Sequence, residues 1–355
     1  MSDVVTEPAA FPPWHAATAQ AWLQDRERFA HAWLIHGLAG IGKRQFAWAA
    51  AASLLCEMPR QGLACGQCVA CRWFAQGSHP DFRAIRPDAV ALAEGVQDGG
   101  EGSADDAGKT KTPSREIRIE QVREIERWLS TATHRGGSRV VLLYPVHAMN
   151  AYAANALLKM LEEPPEHTIF LLVTDAPDRV LPTILSRSRR LPLTAPSAAQ
   201  ARDWLMANGV TDPAGFLAAA GGAPMAALAL AQAQPQAWPE WMPGLLQALA
   251  KGQGRGAAAR LAGDFDKLGA AQWLPALQRG VCDLVLVQAG LSPRYYPGLL
   301  PAYQALAARC GRLPTVQYAR YVAQQMPLAN HPLNGRLFGQ TVLLRLAEMV
   351  RPAAA

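Results

Sequence analysis

No apolar run among the 355 residues approaches the roughly 20 residues that a membrane-spanning helix needs, so no transmembrane segment is expected. The first thirteen residues, Met1–Pro13, hold acids and prolines but no basic stretch leading into an apolar one. No secretory signal is therefore expected, which points to a cytoplasmic location and disfavours disulfides. Charge of one sign is not in large excess: 34 Lys and Arg against 28 Asp and Glu leave a formal +6, which permits contact with a polyanion without demanding it. Half of the residues are hydrophobic, enough for two or three domains with their own cores.

The run Gly37-Leu-Ala-Gly-Ile-Gly42-Lys43 has the glycine and lysine spacing of a phosphate-binding loop. In such a loop glycines let backbone N–H groups wrap phosphates, the lysine meets the outer phosphates, and a following Ser or Thr holds magnesium. The context fits, because His31–His36 reads as a short apolar strand and Lys43–Leu55 as an Ala-rich helix. A glycine-rich turn without a ligand is the structural alternative. Arg44, however, stands where the hydroxyl belongs and cannot ligate a cation. The partner strand of a working site ends in acids that hold magnesium through water and polarise the attacking water. Here Arg139–Leu143 supplies the strand but Tyr144-Pro145 follows, with no acid along it. His147, a lone histidine beside the strand end, reads as a surface or packing residue rather than a base. The pattern predicts a nucleotide site that has lost hydrolysis.

Four of the six cysteines cluster: Cys56, Cys65, Cys68 and Cys71, spaced so that neighbouring thiolates can converge on one ion, with turns at Pro59, Gly62 and Gly66. Structural zinc is the favoured reading, and an iron–sulfur cluster or disulfides are the alternatives. Four thiolates fill a tetrahedral shell, so the expected role is shape rather than catalysis. Cys282 and Cys310 stand apart and read as ordinary buried thiols in helices.

Strands are expected at His31–His36, Asp81–Arg86, Arg139–Leu143, His167–Thr174 and Arg189–Leu193, with helices at Lys43–Leu55, Ile119–Ala132 and Ala151–Glu163. That alternation predicts an α/β parallel sheet covered by helices over residues 1–195. The four-cysteine module (56–71) is an excursion within it. From Asp88 to Pro113 the composition shifts to Gly, Asp, Glu, Ala and Lys, which predicts a flexible insertion. Beyond Pro196 the chain is Ala- and Leu-rich, and two helical domains are expected, at 196–240 and 241–355.

After the fourth strand, Ser186-Arg187-Ser188-Arg189-Arg190 packs three arginines into a short segment. An arginine can stabilise charge on a transferring phosphoryl group of a neighbouring subunit. The plainer alternative is a solvated basic turn, or pairing with Glu162, Glu163 and Asp178.

Taken together, His31-Ala-Trp-Leu-Ile-His-Gly37 with its loop, the cysteine excursion, Gly77-Ser-His-Pro-Asp81, Asn155-Ala-Leu-Leu-Lys-Met-Leu-Glu-Glu-Pro-Pro165 and Leu185-Ser-Arg-Ser188 resemble the clamp-loader AAA+ family. The likeness is dense over about the first 195 residues. It implies a AAA+ domain, a small helical lid and a helical C-terminal collar that holds five subunits in a ring. Hydrolysing members carry Thr after the loop lysine, Asp-Glu at the strand end, and a nucleotide-sensing arginine in a Gly-x-x-Arg pattern. Arg44, Tyr144-Pro145 and Met225 of Gly222-Ala-Pro-Met225 depart from all three, while Thr174 matches a polar sensor. The resemblance is therefore to a non-hydrolysing subunit, a non-catalytic part of a DNA-directed DNA polymerase holoenzyme. Its implied partners are the ATPase (gamma/tau) and delta subunits in a hetero-pentamer and, through that complex, the sliding clamp and primer-template DNA. Ser186-Arg187-Ser188 stands where the family has Ser-Arg-Cys, so Arg187 inherits the role of an arginine finger acting in the neighbour's site. Gly37, Gly42 and Lys43 remain as a degenerate nucleotide site, and ATP is not expected as a cofactor. Two other functions would fit other outcomes: an active ATPase of the same fold using an acid from elsewhere in the chain, and a zinc-dependent nucleic-acid-binding protein.

Overall fold

The computed structural model describes residues 10–24, 29–95, 113–131, 133–134, 137–331 and 333–350. The chain divides into two compact units, Met1–Pro196 and Ser197–Ala355.

The first unit is built on five parallel strands: β1 (Ala32–His36), β2 (Phe82–Ile85), β3 (Arg139–Leu143), β4 (Thr168–Thr174) and β5 (Arg189–Pro192). Their order is β2-β3-β4-β1-β5. The two strands richest in branched apolar residues, β3 and β4, are buried along their whole length. Continuous rather than alternating apolar runs are what a parallel sheet covered on both faces demands. At the edge, β5 is largely exposed and carries two arginines.

Seven helices are described in this unit: α1 (Ala16–Leu23), α2 (Lys43–Leu55), α3 (Val69–Ala75), α4 (Asp88–Ala93), α5 (Ile119–Leu129), α6 (Ala151–Glu162) and α7 (Pro182–Arg187). In α5 the buried residues Val122, Ile125 and Leu129 recur at helical spacing, and they join Leu157 and Leu161 of α6 in a core with Val141, Leu143, Phe170 and Leu172. The alanines of α2 bring that helix close to the sheet, and Ala47, Ala49, Ala50 and Ala51 are fully buried.

All five expected strands form, with ends shifted by no more than a residue or so. The helix expected over Ile119–Ala132 ends at Leu129, and Ala132 lies outside the described residues. One expectation is corrected. The insertion taken as flexible from Asp88 begins with a helix, Asp88–Ala93, followed by an anchored Glu94. Pro87 precedes that helix, Asp88 places an acid in its first turn, Ala91 is buried, and the Ala89 N–H donates to the Ser114 carbonyl. Residues 96–112 of the insertion lie outside the described residues.

The second unit is helical throughout its described residues: α8 (Ala198–Ala207), α9 (Pro213–Ala219), α10 (Pro224–Ala233), α11 (Trp241–Ala250), α12 (Gly254–Leu268), α13 (Ala270–Gln288), α14 (Leu300–Ala307), α15 (Arg312–Gln325) and α16 (Gly335–Glu348). Its core stacks Phe265 on Trp273 with ring centroids 4.5 Å apart and buries Tyr303 and Val342 completely. The buried Asp283 carboxylate accepts backbone N–H groups of Arg294, Tyr295 and Tyr296, which fixes the turn after α13. Cys282 lies in α13 as expected, but Cys310 lies just past α14 in a short bridge to Val350, and both are half-buried. No single described helix is long and apolar enough to cross a membrane.

Candidate functional site

The loop between β1 and α2 is shaped by two glycines. A Cβ at Gly37 would lie 2.3 Å from the Leu193 carbonyl oxygen, so only glycine lets the loop pass there. Gly42 caps α2 in the left-handed region with φ 91°, where side chains are strained. Lys43 opens the helix and is buried, its Nζ donating to the Leu38 carbonyl at 2.5 Å. Burial holds its ammonium below the ordinary lysine value, and Asp175 beyond β4 pulls it back up. Gly37, Gly42 and Lys43 thus lie together in one strand-to-helix loop. Trp14 and His15, ahead of α1, both bond the Ile41 carbonyl and so cover the loop. Neither residue carries a sequence signal that would predict this contact.

Beside the loop, Arg44 and Tyr144 meet a common partner. Arg44 forms a charged hydrogen bond to Glu94 Oε1, and the Tyr144 hydroxyl donates to Glu94 Oε2 at 2.7 Å. Arg86 forms an ion pair with the same Oε2 at 3.2 Å. Burial pushes the Tyr144 phenol well above its ordinary value, so it stays a neutral donor. Sequence reasoning found no acid along β3. The acid arrives instead from the end of α4, after β2, in a segment set aside as flexible. The signal that marks it is Pro87-Asp88 followed by a short apolar helical run.

At the end of β4, Thr174 Oγ1 lies 2.9 Å from His147 Nδ1, and Asp175 lies 3.5 Å from the same nitrogen. Burial holds the His147 imidazole below its ordinary value.

Arg187 closes α7. One guanidinium nitrogen donates to the Thr183 carbonyl at 3.1 Å, and another pairs with Glu162 at 2.6 Å at the end of α6. Its side chain is 36% exposed, which leaves the guanidinium reachable from outside. The pairing expected of a plain basic turn is thus present without burying the arginine. Next to it, the buried Ser188 hydroxyl has no hydrogen-bond partner among the described residues. Arg187 and the loop belong to different elements.

The four cysteines of the excursion do converge. The Sγ atoms of Cys56, Cys65, Cys68 and Cys71 all lie within 4.8 Å of one another, with Cys56 to Cys68 at 3.9 Å and Cys65 to Cys71 at 4.0 Å. A tetrahedral ion about 2.3 Å from each sulfur separates them by about 3.8 Å, so the donor set fits one metal ion. All six cysteines are free, which removes the disulfide reading. Backbone N–H groups of Cys65, Cys68 and Cys71 point at neighbouring sulfurs. The N–H groups of Gln67 and Cys68 pull the Cys65 thiol down to about 6, favouring the thiolate that a metal requires.

A parallel sheet ordered β2-β3-β4-β1-β5, with a phosphate-loop turn between β1 and α2, defines a AAA+ P-loop domain, here followed by a helical region. The chain belongs to the family described as DNA polymerase III, delta subunit, whose model matches residues 18–197. Among similar proteins, DNA polymerase III subunit delta' of Pseudomonas aeruginosa is 39% identical over 221 residues, 61% of this chain and 60% of that protein. The subunit delta' of Escherichia coli is 34% identical over 205 residues, 57% of this chain and 54% of that protein. The tau subunit of E. coli is 35% identical over 191 residues, covering 54% of this chain but 26% of tau. The chain thus spans a little over half the length of the delta' relatives it matches. A solved gamma-subunit-related protein from Thermotoga maritima aligns over 94% of this chain at 16% identity, with a TM-score of 0.43.

Proposed function

We propose that this chain is a non-hydrolysing, delta'-type subunit of a DNA polymerase III clamp loader, and that it takes part in placing the sliding clamp on primed DNA. The observation that carries this reading is the corner beside the P-loop. Arg44 and Tyr144 occupy the positions where hydrolysing relatives need a hydroxyl and a carboxylate, and both are spent on Glu94. A guanidinium and a neutral phenol supply no ligand for magnesium. Glu94 is itself held by hydrogen bonds and ion pairs, so it is not free to polarise water.

In this reading the chain has no turnover of its own and acts through its surfaces. It sits in a hetero-pentamer with gamma/tau and delta subunits in the cytoplasm, and it meets the clamp and primer-template DNA through that assembly. Residues 196–240 serve as the lid and 241–355 as the collar. Arg187 enters the ATP site of the adjacent ATPase as its finger, which its position at the end of α7 and its partial exposure support. Zinc in the four-cysteine cluster is structural and stiffens the excursion between α2 and β2, and the sulfur spacing supports a single tetrahedral ion.

The test is DNA-stimulated ATP turnover by a clamp loader reconstituted with this chain, as wild type and as Arg187→Ala. A finger is worth roughly three to five powers of ten at the site it serves. A large fall in turnover, with assembly intact on size exclusion and none from the chain alone, is expected. Unchanged turnover would remove the finger, and magnesium-dependent turnover by the isolated chain would overturn the non-hydrolysing reading.

A further inference from the structure

We propose that Glu94 is a resident carboxylate that holds the cations beside the P-loop and keeps the loop closed to polyphosphate. The inference rests on reading the loop as a degenerate nucleotide site, and it adds what fills that site's metal side.

In a working site two oxygen-bearing side chains, one after the loop lysine and one at the end of the partner strand, converge on a cation. Here those two positions, Arg44 and Tyr144, converge on an anion. The donors have become hydrogen-bond donors and the central charge has changed sign, so the arrangement is a charge-inverted copy of a magnesium site. Arg86, immediately after β2, completes it from a third direction at 3.2 Å. The Glu94 side chain is 14% exposed and that of Arg86 is 8% exposed, so the pair lies largely out of water.

Two consequences follow from burial. Glu94 offsets one of the two guanidinium charges and engages both arginines, so they are less available to an incoming polyphosphate. A polyphosphate that did capture them would also have to leave a largely buried carboxylate without its partners, which is costly. Lys43 is likewise engaged, by the loop's own Leu38 carbonyl. The loop keeps its glycine shape while its cations are held elsewhere. The ligand excluded is the triphosphate or pyrophosphate chain of a nucleotide, with or without magnesium.

The experiment uses the full chain as Glu94→Gln, which keeps the side chain's size and removes its charge. Binding of a fluorescent ATP analogue and of inorganic pyrophosphate is measured in EDTA and in magnesium. Losing the charge-assisted bond to Arg44 and the ion pair to Arg86 should tighten both ligands by about tenfold or more without any metal. The gain should weaken with salt and disappear when Lys43→Ala is added. Affinity unchanged from wild type in a folded Glu94→Gln protein would overturn the proposal. Should Glu94→Gln not fold, Tyr144→Phe removes one of the groups holding Glu94, and a smaller gain is expected; no gain there overturns the proposal equally. Turnover of magnesium ATP by the wild-type chain is a separate outcome, which would sink the degenerate-site reading and this inference together.

Discussion

Two clusters of ionisable side chains in the first unit meet their charge in opposite ways. The cysteine module gathers four potential thiolates within 4.8 Å, a donor set that suits an ion from outside. The P-loop corner gathers Arg44, Arg86 and Tyr144 around Glu94 and meets its demand from within. The first arrangement suits an external ion, and the second meets its charge by intramolecular contact. On the proposed reading, loss of a site's chemistry need not leave a defect, provided the substituted residues find one another.

The contrast is broken most severely at the cysteines. Cys68→Ser, or chelation of the wild-type protein, is expected to abolish metal retained at one ion per chain by elemental analysis. Amide protection should collapse over 56–75 while the sheet strands stay protected in hydrogen exchange. The loss should be several kcal/mol, below the roughly 10–16 kcal/mol of zinc-finger peptides, because Ala70 and Phe74 remain packed. Equal protection with and without metal would remove the ion's structural role.

The corner is sharpened by a double-mutant cycle of Glu94→Gln with Tyr144→Phe. Each single change should cost about 1 kcal/mol or somewhat more, and the pair should couple by about 0.5–3 kcal/mol in urea unfolding. Strict additivity would mean that the 2.7 Å bond contributes nothing in solution. Chelators should not alter this cycle.

The smallest effect expected is on pH dependence, measured on metal-free protein. His15, His36 and His147 surround the loop and each is held below the ordinary imidazole value, chiefly by burial. Below about pH 6.5 the unfolded chain then binds more protons than the folded one, so their contribution to stability is present above that pH and is lost as pH falls. The urea midpoint should be lower at pH 5.5 than at pH 7.5, and His15→Gln should lessen the difference. A flat profile would mean that these imidazoles charge freely in the folded state.

Much of the first unit was legible because its signals are local. Continuous apolar runs mark β3 and β4, and glycine spacing marks the loop. Two-residue gaps mark the cysteines, which do assemble. What was not legible depends on contacts between distant segments. Glu94 lies 50 residues from both Arg44 and Tyr144, inside a stretch whose composition suggested no order, and only the fold brings the three together. Helix α4 is marked only by its Pro87-Asp88 start, since six residues are too few for periodicity to announce it. The Arg187 pairing with Glu162 was anticipated as the plainer alternative, and sequence alone had no means of showing that the guanidinium stays partly exposed while paired.

If the corner is the degenerate site proposed above, the Glu94 contacts would also act as a ratchet. Restoring only Tyr144 to aspartate would set a second carboxylate against Glu94 at the end of β3, and like charges out of water repel. Restoring only Arg44 to threonine would strip Glu94 of a partner while Arg86 and Tyr144 still hold it in place. Removing Glu94 first would strand the buried Arg86. On the proposed reading, each single step back towards an ATPase would be uphill, so folding stability alone would favour keeping this arrangement.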